Sequence, residues 1–579
     1  MKFLQDLPVI VLGLGESGLA MARWCARFGA RVQVWDSREN PPGADALRAA
    51  VPGIAIGHHA WTAETAAQAV QTLRLVLKSP GLAPHDQRIA PLLAAARAAG
   101  IAVQGELDLF AAALGDLKAE RGYAPRVLAI TGTNGKTTTT AMTALLVARA
   151  GRRVAMAGNI GPTMLDTLAA ALDLEPAPPP AQALAEAVVT VEPDAGQSPV
   201  ADAPDVADPG RADELPAPPV ADDEAPLQLA PPPPAEPVFE HLPQVWVLEL
   251  SSFQLDGVQG FEPSAGAVLN LTQDHLDWHG DLAAYAAAKA RIFGQQGVMV
   301  LNADDSAVMA MVPAPEVVKG AKGRPAKTLH RKALHFSLQP PARPGDFGLV
   351  QENGMAWLVR ALEADETVKL KKGESPEIHL QRLMPADALR VRGRHNAANA
   401  LAALALAIAI GCPLAPMLHG LREYSGEPHR VQPIGSVGNV EAFDDSKGTN
   451  VGATVAALEG LGADKAPAKL VLILGGDGKG QDFTPLAAPT ARYARAVALI
   501  GRDAALIEGV LAATGVAMQR HDSLEAAVAW CFGRAQPGDA VLLSPACASL
   551  DMFRNYGHRA EVFVQAVQAL AAERGEVLA

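Results

Sequence analysis

Cysteine is scarce in this sequence, which has four cysteines among 579 residues and no C-x-x-C pair. A disulfide framework or a cysteine zinc site is therefore not expected, and the composition favours a protein of the reducing cytoplasm. Long apolar runs are also missing. The longest one, which starts at Ala400, is shorter than the about 20 residues that cross a bilayer. Asp6 interrupts the apolar stretch at the N-terminus, so we predict neither a signal peptide nor membrane insertion.

Basic residues are nearly absent from residues 173–243, which hold fifteen acidic residues and one arginine. The rest of the chain carries 48 basic and 47 acidic residues, so the net charge of −13 comes from this segment. Because the remainder offers no basic groove, we do not expect nucleic-acid binding. The acidic segment is rich in proline and alanine, which predicts a disordered insertion, either a spacer or a partner-binding arm. A second irregular region is predicted at about 313–385.

Strand-like apolar runs alternate with helix-like runs along the rest of the chain. This alternation predicts an α/β fold of parallel sheets covered by helices. The pattern divides into three domains, residues 1–118, 119–427 and 428–579, with the acidic insertion inside the second domain. Ligands in such folds gather at the carboxyl ends of strands, so we expect the functional residues there.

The first strand is followed by GLGESG, in which Gly13, Gly15 and Gly18 match G-x-G-x-x-G. Asp36 ends the next strand, about twenty residues further on. Glycines of this spacing admit a pyrophosphate to a helix N-terminus, and the acid binds a ribose hydroxyl. The motif leaves two interpretations open, a dinucleotide site of the NAD type and a tight turn that binds nothing.

A second glycine-rich loop, TGTNGKTTTT, stands between a strand and a helix. Its first glycine, Gly132, comes two residues later than in the common phosphate-binding loop. Gly132 and Gly135 leave backbone N–H groups open to a phosphate, and Lys136 adds a positive charge. Thr137 or Thr138 can reach a magnesium ion. The loop therefore predicts nucleotide binding.

Several polar residues follow later strands of the second domain. Glu249 closes an apolar strand, and a buried unpaired carboxylate is costly, which favours a cation partner. His275 comes after another strand, although histidine is also common where helices start. Lys289 has the pattern of a helix-surface lysine. Asn396 and Asn399 lie three residues apart on one helix face, which suits either a ligand contact or capping and packing.

The third domain carries DDSKGTN, GGDGKGQDF and LLSPACASLDMFRNY at strand ends. Lys447, Lys479 and Ser549 in these segments are groups of the kind that bind a small dicarboxylate. Cys547 lies among them without a nearby histidine in the sequence, which favours a buried thiol over a nucleophile.

Ten motifs in order resemble the Mur ligase family. They are TGTNGKTTTT, GNIG, ELSSFQL, LNLTQDHLD, KARIF, HNAANALAA, PHRVQ, DDSKGTN, GGDGKG and SPACASLDMF. ELSSFQL and SPACASLD are similar to the member that adds D-glutamate. The resemblance implies Rossmann-like N-terminal and C-terminal domains around a central ATPase-type domain with a shortened phosphate-binding loop. It also implies that the N-terminal domain binds the UDP end of a substrate. Another amino-acid-adding family member and an NAD-dependent dehydrogenase remain alternative functions.

The resemblance implies an activity and a set of ligands. ATP would phosphorylate the carboxylate of UDP-N-acetylmuramoyl-L-alanine, and the amine of D-glutamate would attack the acyl phosphate. The cofactors would be ATP, two magnesium ions and a carboxylated lysine at Lys289. We expect a monomer that acts on these small molecules alone. Tyr556 stands where phenylalanine is expected and Ser37 where threonine is expected, and both keep the relevant chemistry.

The resemblance also assigns roles to individual residues. The implied catalytic residues are Lys136, Lys289, His275 and Asn159. The implied ATP contacts are Gly132, Thr133, Asn134, Gly135, Lys136, Thr137, Thr138, Asn396, Asn399, Arg430 and Asp445. The implied metal ligands are Thr137, Glu249, His275 and carboxylated Lys289. The implied contacts of the UDP substrate are Gly15, Ser17, Asp36, Ser37, Ser79 and Asn159. The implied D-glutamate contacts are Lys447, Thr449, Lys479, Ser549 and Tyr556.

Overall fold

The computed structural model describes residues 1–176, 238–318, 327–365, 367, 376–391, 393–576 and 578. Most of the acidic segment lies outside these residues, so the prediction of a disordered insertion falls outside the described part of the chain. The described residues form three main sheets, each with parallel strands at its centre. The predicted α/β fold class is confirmed.

The first sheet is entirely parallel, with the strand order β3-β2-β1-β4-β5. Its first strand has the sequence PVIVL and is buried at all but its first residue, as expected for a parallel strand with both faces covered. The strands are β1 (Pro8–Leu12), β2 (Arg31–Trp35), β3 (Ile56–Gly57), β4 (Leu75–Lys78) and β5 (Ala102–Gln104). The helices are α1 (Glu16–Arg27), α2 (Ala44–Ala50), α3 (Ala63–Thr72), α4 (Ala90–Ala98) and α5 (Glu106–Arg121).

The second sheet has nine strands within the described residues, in the order β16-β15-β14-β13-β10-β9-β6-β8-β7. Strands β6 to β10 and β13 are parallel to their neighbours, whereas β14, β15 and β16 form an antiparallel meander at one edge. The strands that follow β5 in the chain are β6 (Arg126–Thr131), β7 (Val154–Gly158), β8 (Val245–Glu249), β9 (Ala265–Val268), β10 (Val298–Asn302), β11 (Glu316–Val318), β12 (Lys327–Leu329), β13 (Ala333–Phe336), β14 (Phe347–Glu352), β15 (Met355–Glu363) and β16 (Ile378–Pro385).

The region predicted as irregular at about 313–385 contains β11 to β16, so that prediction is wrong. Strands β11 and β12 pair with each other as a separate hairpin, and the other four extend the second sheet. The region was missed because its edge strands are only partly buried. The nine residues of β15, for example, mix exposed, half-buried and buried positions without a long apolar run.

The helices of the second domain cover both faces of its sheet. Helix α12 is rich in alanine and leucine, and ten of its sixteen residues are buried, because it packs in a core shared with α6 and the sheet. The helices are α6 (Lys136–Arg149), α7 (Met164–Leu174), α8 (Ser252–Leu255), α9 (Leu276–His279), α10 (Leu282–Ala290), α11 (Ser306–Met309), α12 (Arg394–Ala409) and α13 (Leu414–Glu423).

The third sheet has the order β17-β18-β22-β19-β20-β21 and is parallel except for the β17–β18 hairpin. All six residues of LVLILG in β19, at its centre, are buried. The strands are β17 (Gln432–Val437), β18 (Val440–Asp444), β19 (Leu470–Gly475), β20 (Ala494–Ile500), β21 (Ala517–Arg520) and β22 (Ala540–Leu543). The helices are α14 (Val451–Lys465), α15 (Ala487–Tyr493), α16 (Ala504–Leu511), α17 (Leu524–Arg534) and α18 (Tyr556–Glu573).

The two ends of the acidic insertion are hydrogen-bonded to each other. Glu175, directly after α7, accepts hydrogen bonds from the backbone N–H groups of Glu240, His241 and Leu242, each at 2.7 Å. The guanidinium of Arg153 donates to the carbonyls of Phe239 and Leu242. We call this set of contacts the insertion clasp. It brings the chain back to the start of β8 whatever lies between its two ends.

We predict that replacing residues 177–237 with a short Gly/Ser linker leaves the fold and the activity intact, because the clasp closes the gap without them. The closure entropy of a flexible loop changes by only about 0.6 kcal/mol per doubling of its length. Thermal unfolding and turnover of the shortened chain would check this. If deletion changes turnover several-fold and moderate salt abolishes the change, the segment makes a functional charged contact instead.

Candidate active site

The loop after β6 has the geometry of a phosphate-binding turn. Gly135, the residue before α6, has φ of 81°, and a Cβ there would lie 2.6 Å from Oδ1 of Asn399. Only glycine fits this position, which leaves the N–H groups at the start of α6 accessible to an anion. The Nζ of Lys136 donates to the carbonyls of Gly132 and Thr133 at 2.9 and 2.8 Å. Its ammonium therefore lies inside the turn, where a phosphate oxygen can compete for it.

Glu249 lies beside this loop because β8 pairs with β6, and Glu249 is in register with Ile130. Its side chain is buried, with an exposed fraction of 2%. The Nδ2 of Asn159 donates to Oε1 of Glu249 at 2.9 Å. The other carboxylate oxygen of Glu249, Oε2, is buried and has no hydrogen-bond partner. A buried carboxylate oxygen without a donor is a ready ligand for a cation. Asn159 and Glu249 are thus in contact at the end of the strand that pairs with the strand before the loop.

The sequence pattern of Lys289 indicated a residue on a helix surface. In the structure its side chain is buried, with an exposed fraction of 1%. Its Nζ donates to Oγ1 of Thr131 at 3.1 Å and to the carbonyl of Gly132 at 2.9 Å. Burial, and then the charge of Lys136, hold the pKa of Lys289 well below its ordinary value. A lowered pKa increases the fraction of the amine that is neutral and nucleophilic. The pattern failed because α10 is too rich in alanine to reveal which of its faces is buried.

Tyr285 was missed by the sequence analysis, although it lies one turn before Lys289 on α10. Its hydroxyl is 3.2 Å from Oγ1 of Thr133, and the Nζ of Lys289 lies 4.7 Å from its ring centroid. The available signal was the i, i+4 spacing of Tyr285 and Lys289, which places both on one helix face. Tyr285 thus separates the lysine from solvent and connects α10 to the phosphate-type loop.

His275 lies at a strained point of the backbone, with φ of 54°, just before α9. Burial lowers the pKa of its imidazole, against the opposing charge of Asp274, and this favours the neutral form that ligates metal ions. His275 and Asp274 line a cavity of about 600 Å³ between the second and third domains, and Lys479 lines the opposite wall. This cavity opens at the loop, since Asn134 also contributes to its lining.

The third domain contacts the phosphate-type loop directly. Arg430 donates from a guanidinium nitrogen to Oγ1 of Thr137 at 3.1 Å, and Asn450 donates to Oδ1 of Asn134 at 3.0 Å. Asp445 is buried, which raises its pKa to about 7, and it accepts a hydrogen bond of 2.6 Å from Ser544. A small cavity joins the candidate ATP contacts and is lined, among others, by Asn134, Gly135, Thr138, Asn396, Asn399, Arg430 and Asp445.

The candidate D-glutamate residues occupy neighbouring loops of the third domain. The Nζ of Lys447 lies 5.8 Å from the ring centroid of Tyr556, and the N–H of Thr449 donates to the carbonyl of Lys447. A bridge between Asp477 and Ala548 brings the loop of Lys479 beside that of Ser549. Ser549 is buried and Lys479 exposed. Lys447, Thr449, Lys479 and Ser549 therefore lie on loops of the third domain, and Tyr556 is the first residue of α18.

The candidate UDP contacts surround the glycine turn after β1. A Cβ on Gly18 would lie 1.8 Å from the carbonyl of Gly13, so α1 packs against the turn only with glycine there. Ser79 donates to the same carbonyl at 3.0 Å. Burial alone would raise the pKa of Asp36, but hydrogen bonds from Arg38 and from the N–H of Leu14 outweigh it and hold the pKa at about 2.

Three other candidates of this group lie in the same region but have different partners. The hydroxyl of Ser37 accepts a hydrogen bond of 2.9 Å from Arg88. Ser17 bonds to Glu106, whose pKa burial raises to about 7. Gly15 is the residue before α1 and has open space at its Cα. The glycine turn and Ser79 thus form a contiguous surface, with Ser37 at its edge.

The side chains at this site could supply only part of the coordination of a magnesium ion. In the described part of the chain, no cluster of three His, Cys, Asp or Glu side chains could hold a metal ion alone. Magnesium, however, is commonly bound through one or two carboxylates together with phosphate oxygens and water. The free Oε2 of Glu249 matches that mode. Among the described residues, no helix is both apolar and long enough to cross a bilayer.

Three family models match this chain, one in each domain. "Mur ligase MurD-like, N-terminal domain" matches residues 8–105, "Mur ligase middle domain" residues 238–340, and "Mur ligase, glutamate ligase domain" residues 429–547. A MurF ligase from Thermotoga maritima, solved in complex with ADP, has the same fold, with a TM-score of 0.50 and 14% identity over 99% of this chain and all of that one. The fold and loop thus define the three-domain class of Mur ligases.

Relatives that match over nearly their whole length indicate which members of this class the chain is similar to. The UDP-N-acetylmuramoylalanine–D-glutamate ligase of Albidiferax ferrireducens is 55% identical over 99% of this chain and 98% of its own length. The enzyme of the same name from Burkholderia mallei is 51% identical over 99% of both chains. The chain therefore belongs to the Mur ligase family, on the branch that holds these D-glutamate ligases.

Replacing Glu249 by glutamine keeps the shape of the side chain and removes its charge. We predict that the thermal midpoint without magnesium stays equal or rises, because the unpaired carboxylate is costly. We also predict that Mg-ATP raises the midpoint less in this variant than in the parent, since a ligand stabilises a fold in proportion to its binding. Glu240→Gln, at an exposed position, is the control. An equal rise with Mg-ATP in both variants would remove Glu249 from the metal site.

Proposed function

We propose that this chain joins D-glutamate to UDP-N-acetylmuramoyl-L-alanine at the expense of ATP, a step in the synthesis of the peptidoglycan precursor. The observation that carries the proposal is the full-length identity of 47–55% to curated ligases of that name. The geometry agrees with it, because a phosphate-type loop, a buried carboxylate and an amine-lined cavity meet between the three domains.

The positions of the candidate residues suggest how the substrates lie. ATP would place its phosphates on the loop at Lys136 and its nucleoside towards Asn396 and Arg430. The UDP end of the other substrate would lie on the glycine turn after β1, with its reacting carboxylate near Asn159 and His275. D-glutamate would enter the cavity of about 600 Å³ lined by Lys479. The amine and the acyl group would then meet beside His275.

The first step would be phosphoryl transfer. A carboxylate oxygen of the UDP substrate attacks the γ-phosphorus of ATP, the bond to the β–γ bridging oxygen breaks, and ADP leaves. The Lys136 ammonium would exchange its two backbone carbonyl partners for phosphate oxygens and stabilise the charge on the transferring group. The ammonium would need little movement to reach the phosphate oxygens, because it already lies inside the turn.

Thr137, Glu249, His275 and a carboxylated Lys289 would hold magnesium, which neutralises phosphate charge and orients the transferred group when bound. For Lys289 this requires that its neutral amine adds to carbon dioxide, with loss of one proton, to give an N-carboxylate. Its lowered pKa favours that reaction. The product would supply a further carboxylate beside Glu249.

The second step would be amide formation. The amine of D-glutamate, after losing a proton to the solvent, attacks the acyl carbon, and the tetrahedral intermediate expels phosphate. The side-chain amide of Asn159 lies 2.9 Å from Glu249 and would be held in place to donate to the acyl oxygen. Lys447, Lys479, Thr449, Ser549 and Tyr556 would bind the two carboxylates and the carbon chain of the amino acid.

The nature of the substrates suggests where the protein works. Both are small polar molecules of the cell interior, and the four cysteines are buried and unpaired in the structure. We therefore propose a cytoplasmic enzyme that acts as a monomer and needs no macromolecular partner for its activity.

Phosphate release from ATP tests the function. We predict release only when UDP-N-acetylmuramoyl-L-alanine and D-glutamate are both present, and no absorbance change at the nicotinamide band. Lys136→Ala should lose more than about tenfold in turnover, or roughly 1.4 kcal/mol of barrier. Lys118→Ala, on the exposed face of α5, is the control. Release with a different amino acid would favour another family member, and NAD reduction would favour the dehydrogenase.

The carboxylated lysine has its own test. We predict that Lys289→Ala is nearly inactive and that acetate partly restores it, because a free carboxylate can occupy the space of the missing one. ¹³C-bicarbonate should also give the parent protein a carbamate NMR signal that the variant lacks. Full activity of the variant without acetate, or an identical spectrum for both proteins, would disprove the modification.

A further inference from the structure

A lysine of the first domain contacts the second domain next to the candidate active site. Lys78 ends β4, and its Nζ lies 5.0 Å from the ring centroid of Trp278 in α9. The same Nζ donates to the carbonyl of Leu82 at 2.7 Å. Burial lowers the pKa of Lys78 to about 8, against the opposing charge of Asp256, so the ammonium persists at neutral pH but has lost part of its hydration. Loss of hydration strengthens a cation–π contact.

Trp278 connects this contact to His275 through one further ring. Its ring centroid lies 4.3 Å from that of Phe253, at an interplanar angle of 42°. Phe253 in turn lies 4.6 Å from the imidazole of His275. The Nε1 of Trp278 is 3.5 Å from a carboxylate oxygen of Asp256, which limits rotation of the indole. The orientation of His275 therefore depends on how the indole is held.

On the other side, Lys78 belongs to the surface that surrounds the glycine turn. The next residue, Ser79, donates to the carbonyl of Gly13 at 3.0 Å. A Cβ on Gly13 would meet the side chain of Leu82 at 3.0 Å, so the segment from Ser79 to Leu82 packs directly on the turn. By donating to the carbonyl of Leu82, Lys78 holds this segment in place.

We propose that Lys78 and Trp278 are positioning residues that fix the distance between the site for the UDP end of the substrate and the site of its reacting carboxylate. This inference rests on the proposed function, in which one substrate spans the glycine turn and His275. Neither residue needs to touch that substrate. Their contact sets the spacing between the two domains to which its ends bind.

The physical argument is one of alignment. A substrate held at both ends reacts quickly only if its carboxylate reaches the phosphoryl group in the correct geometry, and small misplacements cost large factors in rate. Lys78 and Trp278 are two hundred residues apart in sequence and belong to different domains. Loss of the contact should therefore reduce the use of the UDP substrate and leave the affinity for the other two substrates unchanged.

Kinetics of Lys78→Met, Trp278→Leu and the double variant test the proposal. We expect each single variant to lose about tenfold in kcat/KM for UDP-N-acetylmuramoyl-L-alanine, with KM for ATP and D-glutamate within about twofold of the parent. The double variant should lose no more kcat/KM than the more impaired single variant, because the two substitutions remove the same contact. Lys78→Arg should retain most of the parent value, since a guanidinium also binds an aromatic face.

Matched controls are available in the third domain. Lys469 is half-buried and donates to the carbonyl of Arg492 at 2.6 Å, and Trp530 lies 5.2 Å from the guanidinium of Arg534. Lys469→Met and Trp530→Leu should leave kcat/KM for the UDP substrate unchanged. Thermal unfolding would check that every variant is folded.

Three results would overturn the proposal: additive losses of kcat/KM in the double variant, an equal rise in KM for all three substrates, or no loss of kcat/KM in Trp278→Leu. If the parent protein itself releases no phosphate with both substrates present, the proposed function fails instead.

Discussion

Two lysines and two carboxylates share the carboxyl end of the central sheet, and the charge balance among them constrains the rest of the site. Lys136, Lys289 and Glu249 meet where β6 and β8 end in register. Glu249 and Asp274 favour the charged form of both amines, whereas burial disfavours it. The effect is largest at Lys289, where burial and then the charge of Lys136 hold the pKa of the amine well below its ordinary value. The state of that amine follows from the packing of α10.

Much of this arrangement could be predicted from the sequence, because it depends on local signals. Lys136 follows one apolar strand within a glycine-rich loop, and Glu249 ends another apolar strand. Once the strands are known to be parallel, both side chains are expected at the carboxyl end of the sheet. The burial of Lys289 could not be predicted in this way, since the helix that carries it shows no clear apolar face. The edge strands between residues 313 and 385 were missed for a related reason, because half-exposed antiparallel strands lack continuous apolar runs. Contacts between distant segments, such as Lys78 with Trp278, leave no local signal at all.

The third domain completes the site instead of lying beside it. Arg430 and Asn450 bond to Thr137 and Asn134 of the loop, so two domains determine the conformation of a single phosphate-type turn. The guanidinium of Arg430 donates to the hydroxyl of Thr137, and the Nε of Arg430 is buried without a hydrogen-bond partner. If a nucleotide binds this loop as proposed, a positive charge at this hydroxyl couples the position of the third domain to the charge on that nucleotide. Binding and domain arrangement are then parts of one equilibrium.

The insertion clasp has a consequence for how this fold tolerates foreign sequence. Glu175 and Arg153 bind backbone groups on the returning chain, and backbone groups are the same whatever residues precede them. The junction is thus insensitive to the identity of what it encloses and lies at the amino end of β8, at the opposite end of that strand from Glu249. A folded reporter domain spliced between residues 176 and 238 would therefore be carried outside the catalytic cleft. This junction is therefore a suitable insertion site for a sensor domain.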